Sequence, residues 1–534
     1  MKTDYLLYPY QSKRMTVHAK NGMVATTQPL AAQAGLRILQ QGGNAIDAAI
    51  ATAAALTVVE PNSNSIGGDS FALVWAEGKL HGLNGSGPAP AALSIEKVKA
   101  MGHENMPSQG VLPITVPGTP ASWAVLSERF GKLSLLEVLT PAIEYAEQGF
   151  PVSPEIGRFW ELRYKEYKEP LKGEEFSEWF RVYAPEGRAP RIGELWKSDD
   201  HANTLKEIGE TNASSFYNGN LAKKIVSCMK EFKGFLNEGD LKRYQPEWVE
   251  PIHANYRGYD VWQIPPNGQG LVALLALNIL KGYDFTAHDA VDSFHKQIEA
   301  VKLAYIDGLD YITDPQYMKI SEKALLAQAY AEERRKLIGE NAIMPTSGEP
   351  IHGETVYLAT ADGEGNMVSF IQSHAGDFGS AVVVPGTGIC LQNRGTGFSL
   401  DASHHNALAG GKKTFHTIIP GFLTKGNHPV GPFGVMCGMI QPQAHVQVVM
   451  NMIDYHLNPQ AALDAPRWRW IKENRIEVEP QFPDHIAQAL SRRGHVVERA
   501  VDSSMFGRGQ IIIRDEEGRL AGVQSQGRWS IAVW

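Results

Sequence analysis

Cysteine is scarce: Cys228, Cys390 and Cys437 are the only three in 534 residues. They are odd in number, far apart and in no metal-type spacing, so neither a disulfide framework nor a zinc site is indicated. Basic charge is not in excess either. Lys and Arg number 50 against 58 Asp and Glu, a net charge of −8 with pI near 6.1. No basic stripe occurs, which argues against a nucleic-acid partner. Long apolar runs are missing too. The best, residues 45–59, contains Asp47 and two threonines and falls short of the ~18 residues a membrane helix needs. Before Pro9 the only apolar patch is Tyr5-Leu6-Leu7-Tyr8, too short for a secretory signal. The expectation is a soluble, cytoplasmic protein with neither membrane nor nucleic-acid partner. With 43% hydrophobic and 20% charged residues, collagen-like, disordered and coiled-coil chains are excluded. Length alone predicts about two to four domains.

Glycine is plentiful, at 52 residues, and hints at tight turns or close backbone approaches. The spacing predicts a helix over Pro29–Leu39 stopped by Gly42-Gly43, then one capped by Asn44 and running to about Val58. The second is apolar nearly all round and is expected fully buried. After Gly67-Gly68 a hairpin is expected from Phe71–Trp75 and Leu80–Leu83. Apolar residues three and four apart mark helices near 135–147, 202–208, 221–230, 292–311 and 321–339. Residues 155–191 mix five Trp or Phe with many Glu and Lys and read as a solvated helical insertion. Beyond 355 the character turns to β. Strands are expected at 355–361, 367–373, 382–384, 388–391 and 415–419. A helix over 442–455 and a hairpin around 515–518 follow.

The most informative junction is a structureless loop, 339–353, that opens directly onto a strand beginning with Thr355. A Thr at a strand start is ordinarily just a β-former. A chemical role needs more, because a Thr hydroxyl is a weak nucleophile without an adjoining base. A free amine on the same residue supplies one, with a pKa of about 7.7–8 that leaves a neutral fraction near neutral pH. An internal Thr gains that amine only if the chain is cut before it. Residues 355–534 carry 15 acidic and 15 basic side chains, so the whole −8 lies before that point.

The segments Asn21–Gly35, Gly42–Ala49, Pro265-Pro-Asn-Gly-Gln-Gly270 and Gly353-Glu-Thr-Val-Tyr357 resemble the γ-glutamyltranspeptidase family. Leu391-Gln-Asn-Arg-Gly395 and Gln441-Pro-Gln-Ala-His445 are similar to its glutathione hydrolase-like and acylase-like branch. The matches keep one order over nearly the whole chain. The resemblance implies an α+β fold, the four-layer αββα sandwich of the Ntn hydrolases, as one domain over residues 1–534. It implies self-cleavage between Glu354 and Thr355 into fragments 1–354 and 355–534 that stay packed together. Thr355 would attack an amide and form an acyl-enzyme, which water or an acceptor amine resolves. No metal or organic cofactor is implied. By position, Ser373 would bond the nucleophile, or else be a plain strand-end Ser. Cys437 and Gly438, in the turn 434–438, would be the oxyanion donors; at Cys437 the family has Gly, so a positive φ there would mean strain.

The chain departs from the transpeptidase pattern where that pattern grips an α-amino acid head. No Arg occurs in residues 78–94. Arg394 and Gly397 stand where the family has Gln and Asp, and His416 and Thr417 where it has paired serines. An ammonium would lose its anionic partner, and a buried one without a partner is costly. Arg394 instead offers a fork for a carboxylate, or forms a structural ion pair. The expected partner is a small-molecule amide whose acyl group carries a carboxylate and no neighbouring ammonium, as in glutaryl amides. Three readings follow: a glutathione hydrolase-like amidohydrolase or acyltransferase, a cephalosporin or glutaryl acylase, or an uncleaved, inactive binding scaffold. A homo-oligomer stays open.

Overall fold

Alternation along each strand dictates how the layers stack. In strand Val356–Asp362, Val356 and Leu358 point to one face and Tyr357, Ala359 and Ala361 to the other. Both faces are buried, so something must cover each of them. The computed structural model, which describes residues 8–10, 14–344, 355–525 and 530–534, supplies a second sheet on one side and helices on the other. Two antiparallel seven-stranded sheets face each other. The first runs, by neighbour, Ser530–Val533, Gly22–Thr26, Val356–Asp362, Met367–Ser373, Asp69–Ala76, Lys79–Gly85 and Glu247–Val249. The second runs Val17–Ala19, Leu520–Gln524, Arg508–Arg514, His428–Met436, Gly421–Lys425, Tyr259–Gln263 and Ile252–Tyr256.

Between the sheets lies a core that includes Met23, Phe71, Leu73, Tyr357, Ile371, Phe422 and Ile512. Helices Pro29–Gln40, Ala45–Val59 and Leu135–Gln148 share a second core with the outer face of the first sheet. Helices Gly270–Leu280, Val291–Tyr311 and Ile440–Ile453 do the same for the second sheet. These layers make the expected αββα sandwich. Helix Ala45–Val59 is buried at every position, and Asn44 caps it reciprocally with Asp47.

Three expectations are corrected. Residues 155–191 are not a solvated insertion. Helices Pro154–Tyr167 and Ser177–Tyr183 bury Trp160, Trp179 and Tyr183 completely. Their rings surround Phe378, with centroids 5.9, 5.2 and 4.9 Å away. Most of the charges lie on the outer face, whereas Arg163 turns in to pair with Asp377. Residues 382–384, 388–391 and 415–419 are not regular strands but join their neighbours through isolated bridges, Val383 to Cys390, Gly67 to Leu391 and Gly268 to His416. The helix expected over 321–339 is two short pieces, Glu322–Leu325 and Gln328–Arg335. Of the loop before Thr355, residues 345–353 and Glu354 lie outside the described residues, as does most of the apolar patch before Pro9.

Candidate active site

Strand pairing sets the geometry. Val356 lies opposite Gln372, so Thr355 faces Ser373, and Ser373 in turn lies opposite Asp69. Cross-strand partners share a face of the sheet, and this row continues the inter-sheet side that Tyr357 occupies. Neighbouring strands are about 4.8 Å apart, so Thr355, Ser373 and Asp69 form a short polar row at the end of the inner core. Thr355 is 1% exposed, and its hydroxyl has no hydrogen-bond partner among the described residues. Ser373 Oγ accepts from Ala375 N at 2.9 Å. Gly68 makes the close approach possible, because a Cβ there would sit 2.5 Å from the Ser373 carbonyl oxygen.

The facing sheet brings the second element. Strand His428–Met436 crosses strand Val356–Asp362, and the Tyr357 ring lies where a Cβ on Gly434 would be, at 2.4 Å. Tyr357 is two residues after Thr355 and Gly434 three before Cys437, which places the 437–438 turn at the Thr355 end. The turn is shorter than expected, since residues 434–436 belong to the strand. Its φ angles are +97° at Cys437 and +47° at Gly438. Cys437 therefore carries the strain anticipated for a side chain there, about 1–2 kcal/mol. Helix Ile440–Ile453 begins just beyond, and its N-terminal end favours negative charge nearby. Gln269 ties the turn down, its Nε2 donating to the Gly438 carbonyl at 3.0 Å and to the Thr417 carbonyl.

Asp69 is the electrostatic centre. Its Oδ2 accepts from His416 Nε2 at 2.9 Å and Arg394 Nε at 3.3 Å. Its Oδ1 accepts from Gln392 Nε2 at 2.9 Å and Gly87 N at 3.4 Å. The carboxylate is fully buried and every acceptor position is taken. Arg394 is thus an ion-pair partner, 4% exposed, whose Nη1 donates to Thr417 Oγ1 at 2.9 Å. Its Nη2 has no partner among the described residues. Burial lowers the Arg394 pKa and Asp69 opposes that shift. Burial, aided by the Arg394 charge, brings His416 down to about 4, so its imidazole is neutral. His416 Nδ1 accepts from Ile418 N at 3.3 Å, which leaves the proton on Nε2 for Asp69.

The expected residues therefore fall into one connected region: Thr355 and Ser373 in the strand row, Arg394, His416 and Thr417 around Asp69, and Cys437 and Gly438 linked to Thr417 through Gln269. Sequence reasoning missed Asp69 and the role of Gln269. The second stood in a recognised motif, whereas an acid at the head of an apolar strand gives no periodic signal. A cavity of about 670 Å³ opens on the 437–438 turn, walled by Tyr167, Arg163, Asn393 and Trp470. That is an ordinary size for a small-molecule pocket. Tyr167 Oη donates to the Asp377 carbonyl at 2.6 Å, so the aromatic insertion forms part of the wall.

Facing antiparallel sheets between helical layers are the architecture of the Ntn hydrolases. The chain belongs to the gamma-glutamyltranspeptidase family, whose model matches residues 31–532. It is an enzyme of that family's hydrolase and acyltransferase type, and the curated relatives it matches are proenzymes. It is similar to the solved structure of a cephalosporin acylase from Bacillus halodurans, with TM-score 0.96 and 58% identity over 100% of this chain and 99% of that one. The glutathione hydrolase-like YwrD proenzyme of Bacillus subtilis (strain 168) is 40% identical over 94% of this chain and 96% of its own length. The acylase ACY 1 proenzyme of Pseudomonas sp. (strain SE83) is 32% identical over 92% and 90%. No helix among the described residues is long and apolar enough to cross a membrane.

Proposed function

We propose that Thr355 is the nucleophile, freed by cleavage of the Glu354–Thr355 bond, and that the enzyme removes carboxylate-bearing acyl groups without an α-ammonium from amines. Thr355 Oγ first attacks the Glu354 carbonyl, displacing its own amide nitrogen to give an ester. That shift frees the Thr355 amine, and hydrolysis of the ester frees its hydroxyl and parts the chain after Glu354. In turnover the amine accepts the hydroxyl proton as Oγ adds to the substrate amide, and passes it to the departing amine nitrogen. Water then hydrolyses the acyl-enzyme, or an acceptor amine takes the acyl group. The N–H groups of Cys437 and Gly438 serve the developing oxyanion, a donor typically contributing about 3 kcal/mol. Ser373 steadies the nucleophile, and the 437–438 cavity receives the amine half.

The observation that carries the acyl preference is the saturation of Asp69. With four donors on its two oxygens it has no acceptor left for a substrate ammonium, while the orphaned Arg394 Nη2 needs an acceptor. A glutaryl-type carboxylate meets that need and a γ-glutamyl head brings an ammonium with no counter-charge. Likeness to a cephalosporin acylase points the same way; the glutathione hydrolase-like relative is the ground for the competing γ-glutamyl reading. Parallel turnover of glutaryl-anilide and γ-glutamyl-anilide tests the choice. Efficient hydrolysis of γ-glutamyl-anilide alone refutes it. The Thr355→Ala chain should run as one 58.6 kDa band and turn over neither substrate; residual hydrolysis by that variant removes Thr355 from the mechanism.

A further inference from the structure

Helix Val291–Tyr311 buries a charged cluster far along the chain from the site. His295, Glu299 and Lys302 stand four and three residues apart and so share one helix face. Lys302 Nζ is 2.7 Å from Glu299 Oε1, and neither side chain has any exposure. His495 Nε2 lies 2.9 Å from His295 Nδ1 and 3.8 Å from Glu299 Oε1. The donor atoms of His295, Glu299 and His495 all lie within 4.8 Å of one another, a spacing that suits a metal ion. Lys302 argues against one, because its ammonium already supplies the cation Glu299 needs and would repel a second.

The cluster holds a peptide segment instead. Glu299 Oε2 accepts from Ile343 N at 3.0 Å, and Lys302 Nζ donates to the Ile343 carbonyl at 3.3 Å. His295 Nε2 lies 2.9 Å from the Gly339 carbonyl, which makes it the protonated nitrogen and leaves Nδ1 to accept from His495. Ala342 N donates to the Arg493 carbonyl at 2.7 Å. Gly339 to Ile343 is chain on its way to Thr355, which lies twelve positions beyond Ile343. His495 and Arg493, by contrast, lie beyond Thr355.

We infer that His295, Glu299, Lys302 and His495 are positioning residues for self-cleavage, clamping the chain upstream of Thr355 onto both sides of the future cut. The inference rests on the proposed cleavage before Thr355. Ile343 is thereby fixed twelve residues before Thr355, so the chain sets out toward the junction from a defined position.

The test is the double variant Glu299→Leu/Lys302→Met. It removes both ties to Ile343 and leaves no buried charge, an exchange that is often neutral or stabilising, so an unchanged Tm confirms that the fold survives. Self-cleavage of freshly translated chain is followed on denaturing gels beside hydrogen exchange at the Ile343 amide. The expected result is slower cleavage with loss of Ile343 protection. Once fully processed, the variant should show wild-type kcat and KM, a split that a general packing defect would not give. Cleavage at the wild-type rate despite an unprotected Ile343 overturns the clamp. Stoichiometric zinc retained by wild-type protein through chelation overturns Lys302 as the resident cation. A wild-type chain that stays full length sinks the cleavage reading itself, and the clamp with it.

Discussion

Arg394→Met, alone and combined with Asp69→Asn, tests the two roles proposed for Arg394. The guanidinium is almost fully buried, so its interactions are little screened. Toward substrate, a hydrogen bond to a charged group contributes about 1.5–3 kcal/mol. At 1.36 kcal/mol per decade, its loss lowers kcat/KM for glutaryl-anilide about 10- to 150-fold. Butyryl-anilide, the same acyl chain without the carboxylate, should keep its rate. Toward the fold, Met leaves Asp69 without a cation, and breaking a buried pair costs about 3–5 kcal/mol. With the Arg394 repulsion gone and Asp69 still 2.9 Å away, the His416 pKa rises from about 4 and the imidazole takes over part of the charge. The single variant therefore mixes lost stability with lost recognition. The double variant Asp69→Asn/Arg394→Met removes both charges, so it should recover most of the stability while the glutaryl-to-butyryl ratio stays collapsed. Steady-state kinetics on both anilides, with calorimetry of each variant, reads the two effects independently. A double variant that still prefers glutaryl by the wild-type factor would show that Arg394 does not meet the acyl carboxylate.

Other consequences follow from the same geometry. Burial holds His201 and His416 at about 4 and His374 and His445 at about 3, against about 6.5 in an unfolded chain. Between those values the unfolded chain binds more protons than the native one, so stability is complete above pH 6.5 and falls as the pH drops. Each such histidine contributes up to about 1.4 kcal/mol per pH unit, and a Tm that is flat from pH 6.5 to 5 would contradict their neutral burial. Cys437→Gly relieves a φ of +97° and keeps the backbone donor, so Tm should rise, by about 1–2 kcal/mol of stability, with kcat nearly unchanged. A large fall in kcat would instead assign the thiol a role. Phe378→Ala empties the centre of the aromatic insertion at a cost of about 3–5 kcal/mol. Because Asp377 lies in the wall of the 437–438 cavity, KM should rise more than kcat falls; equal effects on the two would detach the insertion from the site.

Helix Ala45–Val59 was legible as a long apolar run capped by Asn44, and strand Met367–Ser373 as a short run bounded by turn residues. Thr355 stood out by its setting, a loop without periodicity followed at once by a strand, but the role proposed for it came from the resemblance alone. Asp69 was not legible, because what makes it central lies elsewhere: its side-chain donors Gln392, Arg394 and His416 are 323, 325 and 347 residues away. The insertion misled for a local reason. Trp160, Trp179 and Tyr183 face inward on helices whose exposed positions carry charges such as Glu161, Lys165 and Arg181, so composition outweighed period. The β-branched run 382–384 and the segment 415–419 misled in the opposite sense. Their residues favour strands, but each finds its backbone partners in single bridges rather than in a ladder.

The interleaving of strands explains how a cut before Thr355 can create a nucleophile without dismantling the fold. Val356–Asp362 pairs with Gly22–Thr26 on one side and Met367–Ser373 on the other, and Met367–Ser373 pairs in turn with Asp69–Ala76. The two strands that follow the cut are thus enclosed by strands that precede it. In the facing sheet, Gly421–Lys425 pairs with Tyr259–Gln263, and Leu520–Gln524 with Val17–Ala19, across the same divide. Thr355 is therefore anchored by a ladder that does not depend on its own peptide bond, and the proposed break of that bond would free an amine at a position already set. Such fixed placement is what converts a weak hydroxyl into an effective one. Asp69 adds an electrostatic lock, since it belongs to the part before the cut while its three side-chain donors belong to the part after it. Pulling the fragments apart would leave a buried carboxylate and a guanidinium each without its partner. The side chains proposed to define the acyl pocket would also fasten the halves, so any variant that loosens Arg394 must be judged on fragment association as well as on substrate choice.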